Sequence, residues 1–341
     1  MATIFDLVTP RYIKDYWINA GYDNVDYLGF ALFPSVKQLG LTLAFLKGNS
    51  GLPVSLKASA FDSEVPLRER QGLTKIESEM PFFREGLMIG EKDRQELLKV
   101  LETGNQVLID AVVNKIYDDA TSLLRSAYVT KERMIMQLLA YGVITMNFQG
   151  SPISYNYSFD TNHKLVLTTD SVVWTDFANS NPLEDIRTMQ DKVEEDTGER
   201  PTRAICTQKT FNDILRNEKI RTALSSMQLY PSTNNLSEFM LNELGLSVAI
   251  YNKRHAGGKF YPDNRMTLIP EGDLGNFYYG TTPEEADLMG KVDSQVELVD
   301  EGIAISTQYK RESPINVKTI VSMIGLPSAE TMDKWAIISY E

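Results

Sequence analysis

Residues 52–61, Leu-Pro-Val-Ser-Leu-Lys-Ala-Ser-Ala-Phe, place Val54, Leu56, Ala58 and Ala60 on one face of an extended chain and Ser55, Lys57 and Ser59 on the other. That is the two-residue period of a half-buried strand. A charged stretch from Glu64 to Arg70 leads to Gly72, and LTKIESEMPFF then runs back towards Gly86. Residues 53–85 therefore read as a long two-stranded excursion with a polar tip. An isolated two-stranded hairpin is marginal in water. This one needs a surface to lie on, and a neighbouring subunit is one candidate.

The rest of the chain supplies helices and strands in ordinary lengths. Thr9 is placed to cap a helix that has Pro10 at its first position and Gly21 at its end. Asn24–Leu46 is aromatic and aliphatic, broken at Pro34, and reads as extended. Over residues 91–126 the spacing of Ile109, Val112, Val113, Ile116, Ala120, Leu123 and Leu124 predicts an amphipathic helix. A second short helix is expected from a Thr130 cap to Tyr141, closed by Gly142. Short strands follow over 151–178, for example Lys164–Leu167 and Val172–Trp174. Residues 182–198 predict a helix with Asn181 as cap, Pro182 at the first position and Gly198 as stop. Next come a buried strand at 203–207, helices at 208–217 and 237–243, and strands at 246–252 and 265–270. Strands at 295–309, 315–324 and 335–340 complete an α+β chain whose 182–290 region reads as a compact α/β subdomain.

Motifs for chemistry are few. The two histidines, His163 and His255, fall in segments that read as solvated loops, without a partner at metal-ligand spacing. The single cysteine, Cys206, lies inside an apolar strand, where a core role outweighs a nucleophilic one, and it has no partner for an intramolecular disulfide. Gly257-Gly258-Lys259 lacks the upstream glycine and the following Ser or Thr of a phosphate loop, and reads as a turn. No G-x-S-x-G is present, and Glu194-Glu195 reads as a solvated helix face. No enzyme activity, metal or cofactor is expected. The net charge of −12, from 46 acidic and 34 basic residues, disfavours adhesion to nucleic acid through its phosphates, though not the enclosure of it. The N-terminus does not read as a signal peptide, and no stretch reaches the apolar length of a membrane span.

Three stretches carry a resemblance: NVDYLGFALFPSVKQLGLTLAFLKG (24–48), FYPDNRMTLIPEGDLGNFYYG (260–280) and ISTQYKRESPINVKTIVSMIGLPSAETMDKWAIISY (305–340). With the order of parts, they make the chain similar to the major head proteins of tailed bacteriophages. More narrowly, it resembles the lambda-like phage capsid E family, of Hong Kong 97-type fold, along nearly its whole length.

The resemblance implies an N-terminal arm at 1–52, an extended β-hairpin loop at 53–85 reaching over an adjacent subunit, and a peripheral domain at 86–179 with a long spine helix. An axial domain at 180–292 and a return to the peripheral domain at 293–341 complete the expected layout. It implies pentamers and hexamers of an icosahedral head enclosing double-stranded DNA, built in the bacterial host cytoplasm. Expected partners are further copies of the chain, a separate scaffolding protein (no scaffolding segment precedes the arm) and a portal, with the presence of a decoration protein left open. Arg68, Glu69, Arg70, Lys75, Glu77 and Glu79 are expected among the polar contacts between hairpin and neighbour, against the alternative of a solvated hairpin whose screened charges contribute little. The loop containing Lys310, Arg311 and Glu312 is expected near threefold junctions. A cellular nanocompartment shell of the same fold is the nearest alternative. An enzyme in the α/β region and a tail-tube or connector protein are the others.

Overall fold

A computed structural model describes residues 8–22, 25–47, 74–102, 104–148, 151–168, 172–288, 295–310 and 316–341. The predicted strand at 52–61 and the charged tip at 64–70 lie outside these residues.

Helix α1 (Pro10–Asn19) starts as its cap dictates, with Thr9 Oγ1 accepting from Tyr12 N at 3.3 Å. The segment read as extended contains a short helix, α2 (Leu28–Leu32), before strands β1 (Ser35–Lys37) and β2 (Thr42–Lys47). Buried Leu32 and Phe33 draw this turn inward. Strands β3 (Thr74–Glu79) and β4 (Phe82–Ile89) lead to helices α3 (Glu91–Glu102) and α4 (Gln106–Tyr141). The expected break before Thr130 does not exist. No Gly or Pro interrupts residues 106–141, and Thr130 Oγ1 donates to Ser126 O at 2.8 Å inside the helix rather than capping a new one. Gly142, at φ +72°, ends α4; a side chain there would strike Phe159, whose Cβ lies 2.6 Å from the added carbon.

Strands β5 (Val143–Phe148), β6 (Ser151–Asn156) and β7 (Lys164–Leu167) follow. Val172–Trp174 is not a strand: Trp174 is fully buried and donates its indole N–H to Asp185 Oδ2 at 2.8 Å. Helix α5 (Pro182–Thr197) stops at Gly198, φ +76°, as predicted; Asn181 begins it through its carbonyl, which accepts from Glu184 N and Asp185 N, not through its side chain. Then come β8 (Arg203–Cys206), α6 (Gln208–Arg216), α7 (Glu218–Ser226), α8 (Thr233–Leu244), β9 (Ser247–Ile250), and a hairpin of β10 (Arg254–His255) and β11 (Gly258–Lys259), which is the glycine turn read from the sequence. Strands β12 (Arg265–Ile269) and β13 (Phe277–Tyr279), helix α9 (Pro283–Leu288), and strands β14 (Val296–Asp300), β15 (Ile303–Lys310), β16 (Asn316–Pro327) and β17 (Ala336–Tyr340) complete the chain.

The chain divides into two compact units. In the first (1–43, 78–133, 276–328), β16 is the organising strand. It pairs antiparallel with β15 over its first eight residues, with β4 along Val317–Ile324, and with β13 at its C-terminal end; β1 adds parallel to β13. Helix α1 buries Ile13 and Trp17, and the Trp17 ring stacks on Tyr128 of α4 at 5.7 Å. Gly302, in the turn between β14 and β15, lies so close to Tyr279 that any side chain would overlap the ring.

The second unit (44–77, 134–275, 329–341) centres on a five-stranded sheet ordered β7-β17-β12-β8-β9, in which only β12 runs against its neighbours. Phe211, Ile214, Leu236, Met240, Met266 and Ile338 fill the core between sheet and helices. Asn217 caps α7, its Oδ1 accepting from Lys219 N and Ile220 N while its amide donates to Ser180. Cys206 lies in this core, where burial pushes its thiol up to about 12.

Candidate functional site

The second unit offers no obvious chemistry. His163 is buried, contrary to the loop reading: it ends a 3-10 turn, with Nε2 3.0 Å from Asp196 Oδ2. His255 is tied into its own hairpin, its Nδ1 accepting from Gly257 N at 3.0 Å. Among the described residues, no group of His, Cys, Asp or Glu is arranged to hold a metal, and no helix is long and apolar enough to cross a membrane.

The first unit differs along β4. Phe82–Ile89 pairs with β16 in eight-residue register, and among the described residues it has no strand on its other side. Its side chains remain largely in water: Phe82 is 38% exposed, Leu87 40% and Met88 63%. Two grooves follow the strand. One, of about 390 Å³, is lined by Phe83, Arg84 and Glu85 and by Leu123, Ser126 and Ala127 of α4. The other, of about 270 Å³, is lined by Leu87, Met88 and Ile89, by Val112 and Ile116, and by the charged Asp93, Glu96, Lys115 and Asp119. An eight-residue strand with one free edge and apolar flanks is a template for another extended chain. Soluble monomers rarely leave such surfaces uncovered.

This edge is held by long-range ion pairs rather than by local pattern. Thr282 Oγ1 accepts from Glu285 N at 3.2 Å and starts α9, whose Glu284 and Glu285 are both buried. Glu284 Oε1 lies 2.8 Å from Arg84 Nη2 of β4, and Oε2 accepts from Ser322 of β16 at 2.8 Å. Glu285 Oε2 accepts from Lys37 of β1 at 2.5 Å. One short helix thus fastens both β1 and β4 to the central sheet. Nearby, Lys131 of α4 donates to Ser35 at 2.7 Å, and Glu132 accepts from Gly29 N at 3.3 Å.

The residues expected at interfaces are only partly gathered here. Glu77 and Glu79 are exposed on one face of β3, with Lys75 on the same strand. Lys310 is exposed and closes β15, opposite Asn316, so it belongs to a strand and not to the loop. Arg68, Glu69, Arg70, Arg311 and Glu312 lie outside the described residues. The fastening residues Lys37, Arg84, Glu284 and Glu285 were missed. Thr282-Pro283-Glu284-Glu285 does carry a helix-start signature, but nothing local announces that its acids reach cations 200 and 248 positions away.

The family model described as phage major capsid protein E matches residues 20–338. No curated protein matches the sequence. Among solved structures, the chain is similar to one assigned as the capsid protein of a prophage in Escherichia coli CFT073 (TM-score 0.58, 14% identity, covering 98% of this chain and 99% of that one). It is also similar to a phage-related protein from Bordetella bronchiseptica RB50 (0.57, 13%, 97% of each) and to the capsid asymmetric unit of cyanophage A-1(L) (0.53, 12%, 92% and 91%).

Proposed function

Given that the chain belongs to the phage major capsid protein E family and has the Hong Kong 97-type fold, we propose that it self-assembles into pentamers and hexamers that close an icosahedral head around double-stranded DNA. The observation that supports this reading most directly is β4: an edge unpaired among the described residues, flanked by exposed Leu87 and Met88, on a strand held firmly in place. Repeated head-to-tail contacts between such surfaces close into rings when the rotation permits. In this reading residues 1–52 are the arm, 53–85 the extended loop, 86–179 and 293–341 the peripheral domain, and 180–292 the axial domain. Arg68, Glu69, Arg70, Lys75, Glu77 and Glu79 contribute hairpin contacts to a neighbour, and Lys310, Arg311 and Glu312 approach threefold junctions.

The acidic balance fits a wall that confines DNA without gripping it. The chain is structural and carries no catalysis of its own. It is built into virions in the bacterial cytoplasm, with a scaffolding protein and a portal as partners. Expression with and without the phage's scaffolding protein, followed by electron microscopy, tests this. Closed particles or capsomer rings are expected. A compact monomer persisting in both conditions overturns the proposal, and particles that co-purify with a protein cargo redirect it to a nanocompartment.

A further inference from the structure

Lys131 is a charged-type residue almost without water. It is 3% exposed; its amine donates to Ser35 Oγ at 2.7 Å and lies 4.2, 5.1 and 5.4 Å from the ring centres of Phe30, Phe277 and Tyr279. Among the described residues it has no ion-pair partner. Phe30 and Ser35 belong to residues 27–37, the segment that carries α2 and β1, and Gly29 of the same segment donates to Glu132. The amine is therefore the floor on which this segment rests.

We infer that Lys131 makes the seat of residues 27–37 a proton-graded latch, loosest while the amine is charged and dry and tightest once it is neutral. Desolvation pulls the seated amine down to about 8, outweighing the opposing pull of Asp300, Glu132 and Glu301. The other titratable groups facing it are Tyr128, which donates to Asp300, and Tyr279, which burial holds well above its usual value. Tyr279 stays neutral in the range that matters. If the segment lifts, water reaches the amine and its affinity for a proton returns to the ordinary lysine value of 10.5. The open state then binds more protons between those two values, so protons favour opening. The effect is full below pH 8 and fades as pH rises towards 10.5. Aromatic rings offset part of the desolvation, which keeps the latch shut on average while leaving it easy to displace.

The test is hydrogen exchange of residues 27–37 in the unassembled subunit, wild type against K131M, from pH 7 to 9.5. Taking the ratio at each pH cancels the intrinsic chemistry of exchange. Faster exchange in wild type at pH 7 is expected, with the ratio falling about 25-fold by pH 9.5 for a fully rehydrated amine. A ratio that stays constant with pH, or a K131M segment that opens as readily as wild type at pH 7, overturns the latch. Should K131M not fold, the wild-type protection of 27–37, corrected for intrinsic rates, must rise over the same range or the inference fails. Because the subunit is unassembled, neither result depends on whether the chain builds shells.

Discussion

Strands β4 and β17 are both paired along their length, yet they live in different surroundings. In the second unit β17 is flanked on both sides, by β7 and β12, and all five of its residues are buried. In the first unit β4 has one partner among the described residues, β16, and six of its eight residues are exposed. In the second unit β17 is closed over on both edges. The first keeps an apolar edge open and secures it with charge: Arg84 to Glu284, Lys37 to Glu285. A strand that must stay available cannot be stabilised by covering it, so its position is set from behind, through a neighbouring helix.

The comparison can be broken most forcefully from the closed side. Phe211 is fully buried in the second core, and Phe211→Ala is expected to cost about 3–5 kcal/mol of subunit stability by cavity formation. Chemical denaturation of the unassembled chain measures it. A loss under 1 kcal/mol would mean that this core is not the self-sufficient one.

Glu284→Ala sharpens the other side. It strips Ser322, which is buried, of its acceptor and frees Arg84, which is half-exposed. A cost of about 1–3 kcal/mol is expected, chiefly from the orphaned hydroxyl, because the exposed guanidinium is screened. Exchange protection in β4 should fall more than protection in β17. Equal losses in both strands would show that α9 does not anchor the edge.

The smallest effect on the subunit and the largest on its product should come from Leu87→Ser with Met88→Ser. Both side chains are exposed, so denaturation midpoints should move by no more than about 0.5 kcal/mol, while particle yield by electron microscopy collapses. Undiminished particle yield would remove β4 from the assembly surface.

How much of this could be read beforehand depends on the range of the cause. Helix α1, the stop at Gly198 and strands β8 and β12 were legible, because caps, a left-handed glycine and apolar runs act within a few residues. The break expected at Thr130 was wrong because a threonine that suits a cap also bonds back inside a helix. Helix α2 was hidden in an aromatic stretch whose turn is set by burial. The fastening cluster had no local signature: Lys37 meets Glu285 across 248 positions, and Arg84 meets Glu284 across a comparable span. His163 read as solvated because its partner, Asp196, lies 33 residues on. Of the expected interface residues, those on β3 and at the end of β15 have described positions, and a contact with another copy is not encoded in one chain's contacts.

Cys206 is the chain's only cysteine, and in the folded second unit its sulfur is fully buried and held as an unreactive thiol. Disulfide exchange and alkylation need a thiolate within reach of the reagent, so an intact subunit is silent to such reagents. Each reaction marks one excursion in which that core came apart. Every copy in an assembly would carry the same silent reporter. The rate at which label accumulates would then time the opening of one region alone, at native concentration and without any engineered probe.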